Sequence, residues 1–238
     1  MYMKKFLSFI LTMACLSSMA QITINDKNAQ VRNISAFNSI KVSGAIEVLL
    51  SQSNEEAVAV SASEEKFRDK IRTEVVNGTL KIFYDGDRLT WNVGNKKLRA
   101  YVSFKNLNNL EASGASTIRI NGILNASALN VKLSGACELT GSIKAIDVKI
   151  DVNGASNVKL NGSVANINID ASGASDVKGY DLSTDECIVN ASGASDINIT
   201  VNKEISAHAS GASSIYYKGN GIIKAVRTSG ASSVSKRS

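Results

Sequence analysis

Glu138, Asn157, Asp176 and Asp196 carry oxygen-bearing side chains spaced 19, 19 and 20 residues apart. A fold that stacked those positions would turn them into a ladder able to hold a cation or sugar hydroxyls. The simpler account is solvated turn chemistry, because Asn and Asp are ordinary turn residues. A second column, Ser116, Ser156, Ser175, Ser195, Ser213 and Ser232, offers hydroxyls at the same period, with Cys137 taking the place once. Hydroxyls repeated in this way are better read as satisfying backbone groups at a corner than as nucleophiles. The single histidine, His208, falls in a column otherwise filled by Glu111, Lys132, Asp151, Asp170, Asn190 and Arg227, the pattern of a solvated face. A Ser-His-Asp machine needs three groups brought together beside an oxyanion hole, and nothing favours one repeat over another for that.

What positions these columns is a repeat. Ser-Gly-Ala, once Asn-Gly-Ala, recurs with its glycine at 114, 135, 154, 173, 193, 211 and 230. Four residues before that glycine stand Leu110, Val131, Ile150, Ile169, Val189, Ala207 and Val226; four after it stand Ile118, Leu139, Val158, Val177, Ile197, Ile215 and Val234. Even offsets are apolar or small and odd offsets mostly polar, the period-two pattern of half-buried strands. Each unit is therefore two short strands around a glycine corner. One unit cannot bury its apolar side alone, whereas stacking units about 4.8 Å apart does. The spacing predicts an all-β parallel β-helix, a β-solenoid with coils of ~19 residues. The corner accounts for the glycines, and central strands that must all donate N–H groups account for the absence of proline.

Both ends of the chain read differently from its middle. Lys4 and Lys5, an apolar stretch from Phe6 to Cys15, and Ser18-Met19-Ala20 have the layout of a secretory signal peptide cleaved after Ala20. A rival reading makes Cys15 a lipid anchor, although Thr12 stands where such signals carry Leu. Beyond this leader, charged or polar residues interrupt every apolar run, so no transmembrane segment is expected in the mature chain. Loss of Lys4 and Lys5 lowers the formal net charge from +6 to +4. The remaining cations are scattered among acids with few aromatics, which excludes the basic stripe of a nucleic-acid binder. At the far end the chain stops soon after Gly230. That predicts an open last coil, through which copies could associate.

Residues 21–105 are less regular but keep the same grammar, and residues 106–238 hold the regular coils. Ser43-Gly44-Ala45 is an earlier copy of the corner, flanked by Ile40, Val42, Val48 and Leu50. Ser63-Glu64-Glu65 predicts the start of a short helix, with Phe67 and Ile71 four apart. Asn77-Gly78 and Asp85-Gly86 signal turns. Phe83, Tyr84, Trp91 and Tyr101 gather here, and an aromatic-rich end unit reads as the cap a solenoid needs, with a ligand platform as the alternative. Cys137 and Cys187 fall at inward offsets roughly 14 Å apart along the stack, beyond disulfide reach, so two free buried thiols are expected.

Phe37-Asn38-Ser39-Ile40-Lys41-Val42-Ser43-Gly44-Ala45, Asn77-Gly78-Thr79-Leu80-Lys81-Ile82 and Leu110-Glu111-Ala112-Ser113-Gly114-Ala115-Ser116, in that order, resemble the putative auto-transporter adhesin, head GIN domain family over roughly residues 36–235. The resemblance implies a right-handed β-helix exported to the envelope or surface of a Gram-negative bacterium. It makes an adhesin or binding scaffold the expected function, with an unknown host or cell-surface glycan or protein as partner. The runner-up is a structural, self-assembling envelope subunit. A polysaccharide-cleaving β-helix is the enzyme alternative, but the loops between coils are too short for a deep cleft. No calcium-binding nonapeptide repeat is present, and no cofactor is expected.

Overall fold

The protein is described by a computed structural model covering residues 26–86 and 96–237. In chain order the strands of its front part are β1 (Gln30–Arg32), β2 (Ser39–Gly44), β3 (Glu47–Gln52), β4 (Ala57–Ser61), β5 (Ile71–Val76), β6 (Thr79–Tyr84) and β7 (Arg99–Phe104), with a helix α1 (Glu65–Arg68) between β4 and β5. The repeats follow as β8 (Asn109–Gly114), β9 (Thr117–Gly135), β10 (Glu138–Val152), β11 (Asn157–Ala171), β12 (Asp176–Ala191), β13 (Asp196–Ala209), β14 (Ser214–Lys218), β15 (Ile222–Thr228) and β16 (Ser233–Lys236). From β8 to β16 every pairing is parallel, and the whole is a β-solenoid of about seven turns. Among the described residues no helix is long and apolar enough to cross a membrane.

Register is set by the repeat itself. Leu139 pairs with Ile118 on one side and Val158 on the other, and Val177, Ile197 and Ile215 continue the column. All six are buried, as are Leu110, Val131, Ile150, Ile169, Val189 and Ala207 in the column before the corner. A one-residue slip would turn every one of these side chains to solvent. Each buried aliphatic contributes on the order of 1.5–3 kcal/mol, so adding a coil extends one continuous core.

The glycine corners are tighter than the turn argument requires. Gly114, Gly135, Gly154, Gly173, Gly193, Gly211 and Gly230 all have positive φ, and each stacks on the glycine of the coil before it. A Cβ on any of them would fall within 3 Å of the preceding glycine's carbonyl oxygen. That same oxygen accepts the N–H of the next coil's corner alanine, as in Ala115 to Gly44 and Ala136 to Gly114, both 2.7 Å. Glycine is thus required twice, for its backbone angle and for the close approach.

The front of the chain does not stack in sequence order. The coil made by β2 and β3 lies against β8 and β9 on its inner side. Its outer side is covered by β6 and β7, which come later in the chain. Gly44 therefore sits directly on Gly114 although the intervening residues form the end of the solenoid. Antiparallel strands finish that end: β5 on β6, β4 on β7, and β1 on β4. Asn77 and Gly78, at φ 51° and 73°, form the tight hairpin turn their sequence predicts. The helix is a single turn from Glu65 to Arg68, its first boundary residue is Glu64 without a side-chain cap, and Ile71 belongs to β5 instead. The cap closes on aliphatic side chains, including Val58, Val60, Ile71, Leu80, Ile82 and Val102. Phe83, Tyr84 and Tyr101 are only half-buried, and Trp91 lies outside the described residues, as do Cys15 and the leader.

Candidate functional site

The strand register brings the oxygen-bearing ladder together. Glu138 pairs with Asn157, Asn157 with Asp176, and Asp176 with Asp196, each on the next coil. The row extends through Thr117 to Glu47 and Arg99 at one end, and through Ser214 to Ser233 at the other. Glu138, Asn157 and Asp196 are exposed and Asp176 is half-buried. Lys178, two residues along the strand, places its Nζ 3.7 Å from Asp176. Such a row, one side chain per coil, presents acceptors at intervals of about 4.8 Å.

A second outward row lies on the other side of the corner. Lys132, Asp151, Asp170, Asn190, His208 and Arg227 pair in succession from coil to coil. All of these but Arg227 line, with Ser172, Ser192 and Ser210, a shallow groove of about 350 Å³. Its acids are engaged: Asn190 donates to Asp170 at 2.7 Å, and Lys149 lies 3.5 Å from Asp151 and 4.0 Å from Asp170. His208 is exposed on this face between Asn190 and Arg227.

The serine column points inward. Ser116, Ser156, Ser175, Ser195 and Ser213 are fully buried. Each donates to the carbonyl of the residue three before it, for example Ser175 to Ser172 at 2.8 Å and Ser195 to Ser192 at 2.9 Å. Cys137 makes the same contact with the Ser134 carbonyl at 3.3 Å. These hydroxyls complete corner hydrogen bonding, which gives them a structural role. Cys137 and Cys187 are both buried and free, and burial pushes the Cys187 thiol up to about 12.

One cluster escapes sequence reasoning. Glu47 accepts from Arg99 at 2.7 Å and from Arg119 at 3.2 Å. These hydrogen bonds, that from Arg99 foremost, hold its carboxyl below the usual range against the opposing effect of burial. Arg99 and Arg119 occupy the coils on either side of Glu47, a relation hidden by the out-of-order stacking. Alignment of Ser43-Gly44-Ala45 on the later corners places Glu47 in the ladder column and was the available signal.

With coil, corner and ladder in place, the sequence match over residues 36–221 is decisive: its family model is described as the putative auto-transporter adhesin, head GIN domain. The chain belongs to that family. Among solved structures, this head GIN domain protein is similar to a putative adhesin from Bacteroides fragilis, with a TM-score of 0.79 and 19% identity over 88% of this chain and 96% of that one. It is also similar to a putative lipid binding protein from Parabacteroides distasonis (TM-score 0.65, 19% identity, 90% and 98% covered). A third similar structure is a putative adhesin from Parabacteroides merdae (TM-score 0.64, 15% identity, 88% and 95% covered). At these identities the likeness establishes the shared solenoid fold. No curated protein sequence matches the chain. The names borne by the family and these neighbours are those of adhesins and a lipid-binding protein, not of enzymes.

Proposed function

We propose that this head GIN domain protein is an exported, non-enzymatic binding scaffold of the cell envelope, an adhesin whose solenoid face engages a glycan or protein. The observation that carries the reading is the register of outward side chains. Glu138, Asn157, Asp176 and Asp196 stand one per coil in a single outward row, and a parallel row runs through Asp151, Asp170 and Asn190. A face with one hydrogen-bonding group per coil matches an extended partner that repeats its own groups at similar intervals. The signal-peptide layout of residues 1–20 and the adhesin family name support export.

The test is to screen residues 21–238 on glycan and matrix-protein arrays and repeat the hits with Asp176→Ala/Asp196→Ala. Saturable binding weakened by the double substitution supports the scaffold. Binding indifferent to it, or none on any array, refutes a role for this face. Calcium titration by calorimetry in the same pair of proteins tests whether the ladder takes a cation.

A second reading, the self-assembling subunit, is favoured by one observation. At the C-terminal end of the described stack Ile222, Ile223 and Val226 are 65%, 53% and 42% exposed. Here β15 pairs only with β13, and β16 only with β14. Unpaired strand edges beside exposed aliphatics are templates for association. Mass by light scattering that rises with concentration supports it, and a constant monomer mass refutes it.

A further inference from the structure

A further outward row runs up the stack five residues ahead of each corner glycine. Asn109, Asn130, Lys149, Asn168 and Ile188 pair in it from coil to coil. The row begins as a chain of amides, Asn109 donating to Ser39 at 3.1 Å and Asn130 to Asn109 at 3.2 Å. At Asn168 that chain is broken. Lys149 on one side points its Nζ at Asp151 and Asp170 of the neighbouring row, 3.5 and 4.0 Å away. Ile188 on the other side has no polar group to offer. The Asn168 Oδ1 is therefore buried with no donor to meet it, a state shared among the described residues only by Arg32 Nε in the cap.

Asn168 stands in a groove of about 260 Å³ that follows the stack across four coils, from β9 to β12. One wall is the row from Asn130 to Ile188, and the other, two residues back along each strand, holds Asp147, Asn166 and Glu186. Three steps of about 4.8 Å make the groove about 14 Å long, room for a short oligomer. Its lining is amphipathic. Ile188 is 51% exposed, an aliphatic surface in an otherwise polar row. On the facing wall Asp147 accepts from Asn166 at 2.8 Å, and Glu186 is exposed. Because the Lys149 ammonium is drawn to Asp151 and Asp170, the charge left in the groove is that of two carboxylates.

These features select an occupant. The strands beneath the groove spend their backbone groups on the coils to either side, so a peptide cannot join them as an added strand. The carboxylates turn away an anionic chain. A neutral sugar brings what is wanted: hydroxyl donors along its length and a C–H face for the isoleucine. We propose that the groove between Asp147 and Ile188 binds a neutral oligosaccharide. One hydroxyl donates to the Asn168 Oδ1, others meet Asp147 and Glu186, and a ring lies against Ile188. The terminal torsion of an asparagine is soft, so a small turn of the amide opens its oxygen to the ligand. The proposal rests on the reading of the solenoid as a glycan-binding scaffold, and it puts the glycan on a different face from the row of Glu138, Asp176 and Asp196.

The experiment is NMR on ¹⁵N-labelled residues 21–238, titrated with cellotriose, maltotriose and triacetylchitotriose, with trigalacturonate and trialanine as anionic and peptide controls. A saturable shift of the Asn168 side-chain amide and the Ile188 backbone amide with a neutral trisaccharide, and not with the controls, supports the proposal. Asn168→Leu removes a buried oxygen that has no partner, so its urea midpoint should hold or rise. Its affinity for the active sugar, followed at Ile188, should fall about three- to tenfold, the worth of one hydrogen bond. Resonances that stay still with all three sugars at millimolar concentration overturn the proposal. So does equal movement with either control, or an affinity unchanged in Asn168→Leu. If the arrays return glycans whose binding Asp176→Ala/Asp196→Ala weakens and Asn168→Leu does not, the groove falls and the scaffold stands. Arrays without a single hit take both.

Discussion

Replacing Gly193 by alanine loads two separate costs onto one methyl group. The backbone there has φ 72°, where an L-residue loses roughly 1–2 kcal/mol. The new Cβ would also lie 2.5 Å from the Gly173 carbonyl oxygen and 3.0 Å from its nitrogen. Ordinary contacts begin near 3.5 Å, so the corner must lift by about 1 Å, an overpacking penalty of about 1–3 kcal/mol. The sum is about 2–5 kcal/mol. Gly122→Ala isolates the first cost, since Gly122 has φ 77° but nothing within 4 Å of a Cβ. Urea unfolding of both variants, followed by circular dichroism, should place Gly193→Ala about 1–3 kcal/mol below Gly122→Ala. Because solenoids can open locally, amide exchange at Ala194 supplies a second reading. Its 2.7 Å bond to Gly173 should exchange faster in Gly193→Ala alone. Equal losses in the two variants would refute the claim that close stacking, beyond backbone angle, demands glycine.

Other consequences are as direct. Ser175→Ala removes a buried donor from the Ser172 carbonyl and should lower stability by about 1 kcal/mol by urea unfolding; Ser175→Cys, imitating Cys137, should lose less. Neither Cys137 nor Cys187 should react with a thiol reagent in the native protein at pH 8, and both should react once it is unfolded; rapid native labelling would contradict their burial. The Cys187 thiol is raised by burial from 9.0 to about 12, so between those values only the unfolded chain releases its proton. Stability should therefore fall with rising pH by up to about 1.4 kcal/mol per unit across that window, and Cys187→Ala should flatten the fall in urea midpoints. Glu47 is shifted the other way by Arg99 and Arg119, so its contribution is present above its ordinary value of 4.5 and lost as pH falls through the lowered one. Glu47→Gln should remove at most about 1 kcal/mol of that acid-side dependence in unfolding curves at pH 6 and pH 3.

The regular coils were legible because one spacing reported one geometry. Val158 and Val177 share a column in the sequence and share the core in space, and Ser175 and Cys137 are interchangeable because the same carbonyl bond awaits either. The front was harder for a physical reason. Periodicity tells which residues share a column but not the order in which coils stack, so Ser43-Gly44-Ala45 declared a corner without declaring Gly114 its neighbour. Glu47, Arg99 and Arg119 went unseen together for the same cause. Of the aromatics gathered at that end, Tyr84 packs partly buried against the core and Phe83 and Tyr101 are half-buried, while Trp91 lies outside the described residues. Val226 and Val234 match the apolar columns yet are not sealed, because burial needs a following coil and not only the right residue.

The displaced first coil also bears on the order in which the molecule can assemble. Neighbouring repeats meet across loops of about 19 residues, for example Ser142 with Asn161. Asn109 must find Ser39 across 70. Chain-closure entropy makes the longer search dearer by only about 1 kcal/mol. Yet it fixes a sequence of events: as the polypeptide emerges amino end first, Ile40 and Val42 have no inner neighbour until residues 109–114 have followed. The middle turns should therefore nucleate, with the amino-terminal lid clasped on afterwards, so folding should be governed by its interior and not by its leading edge.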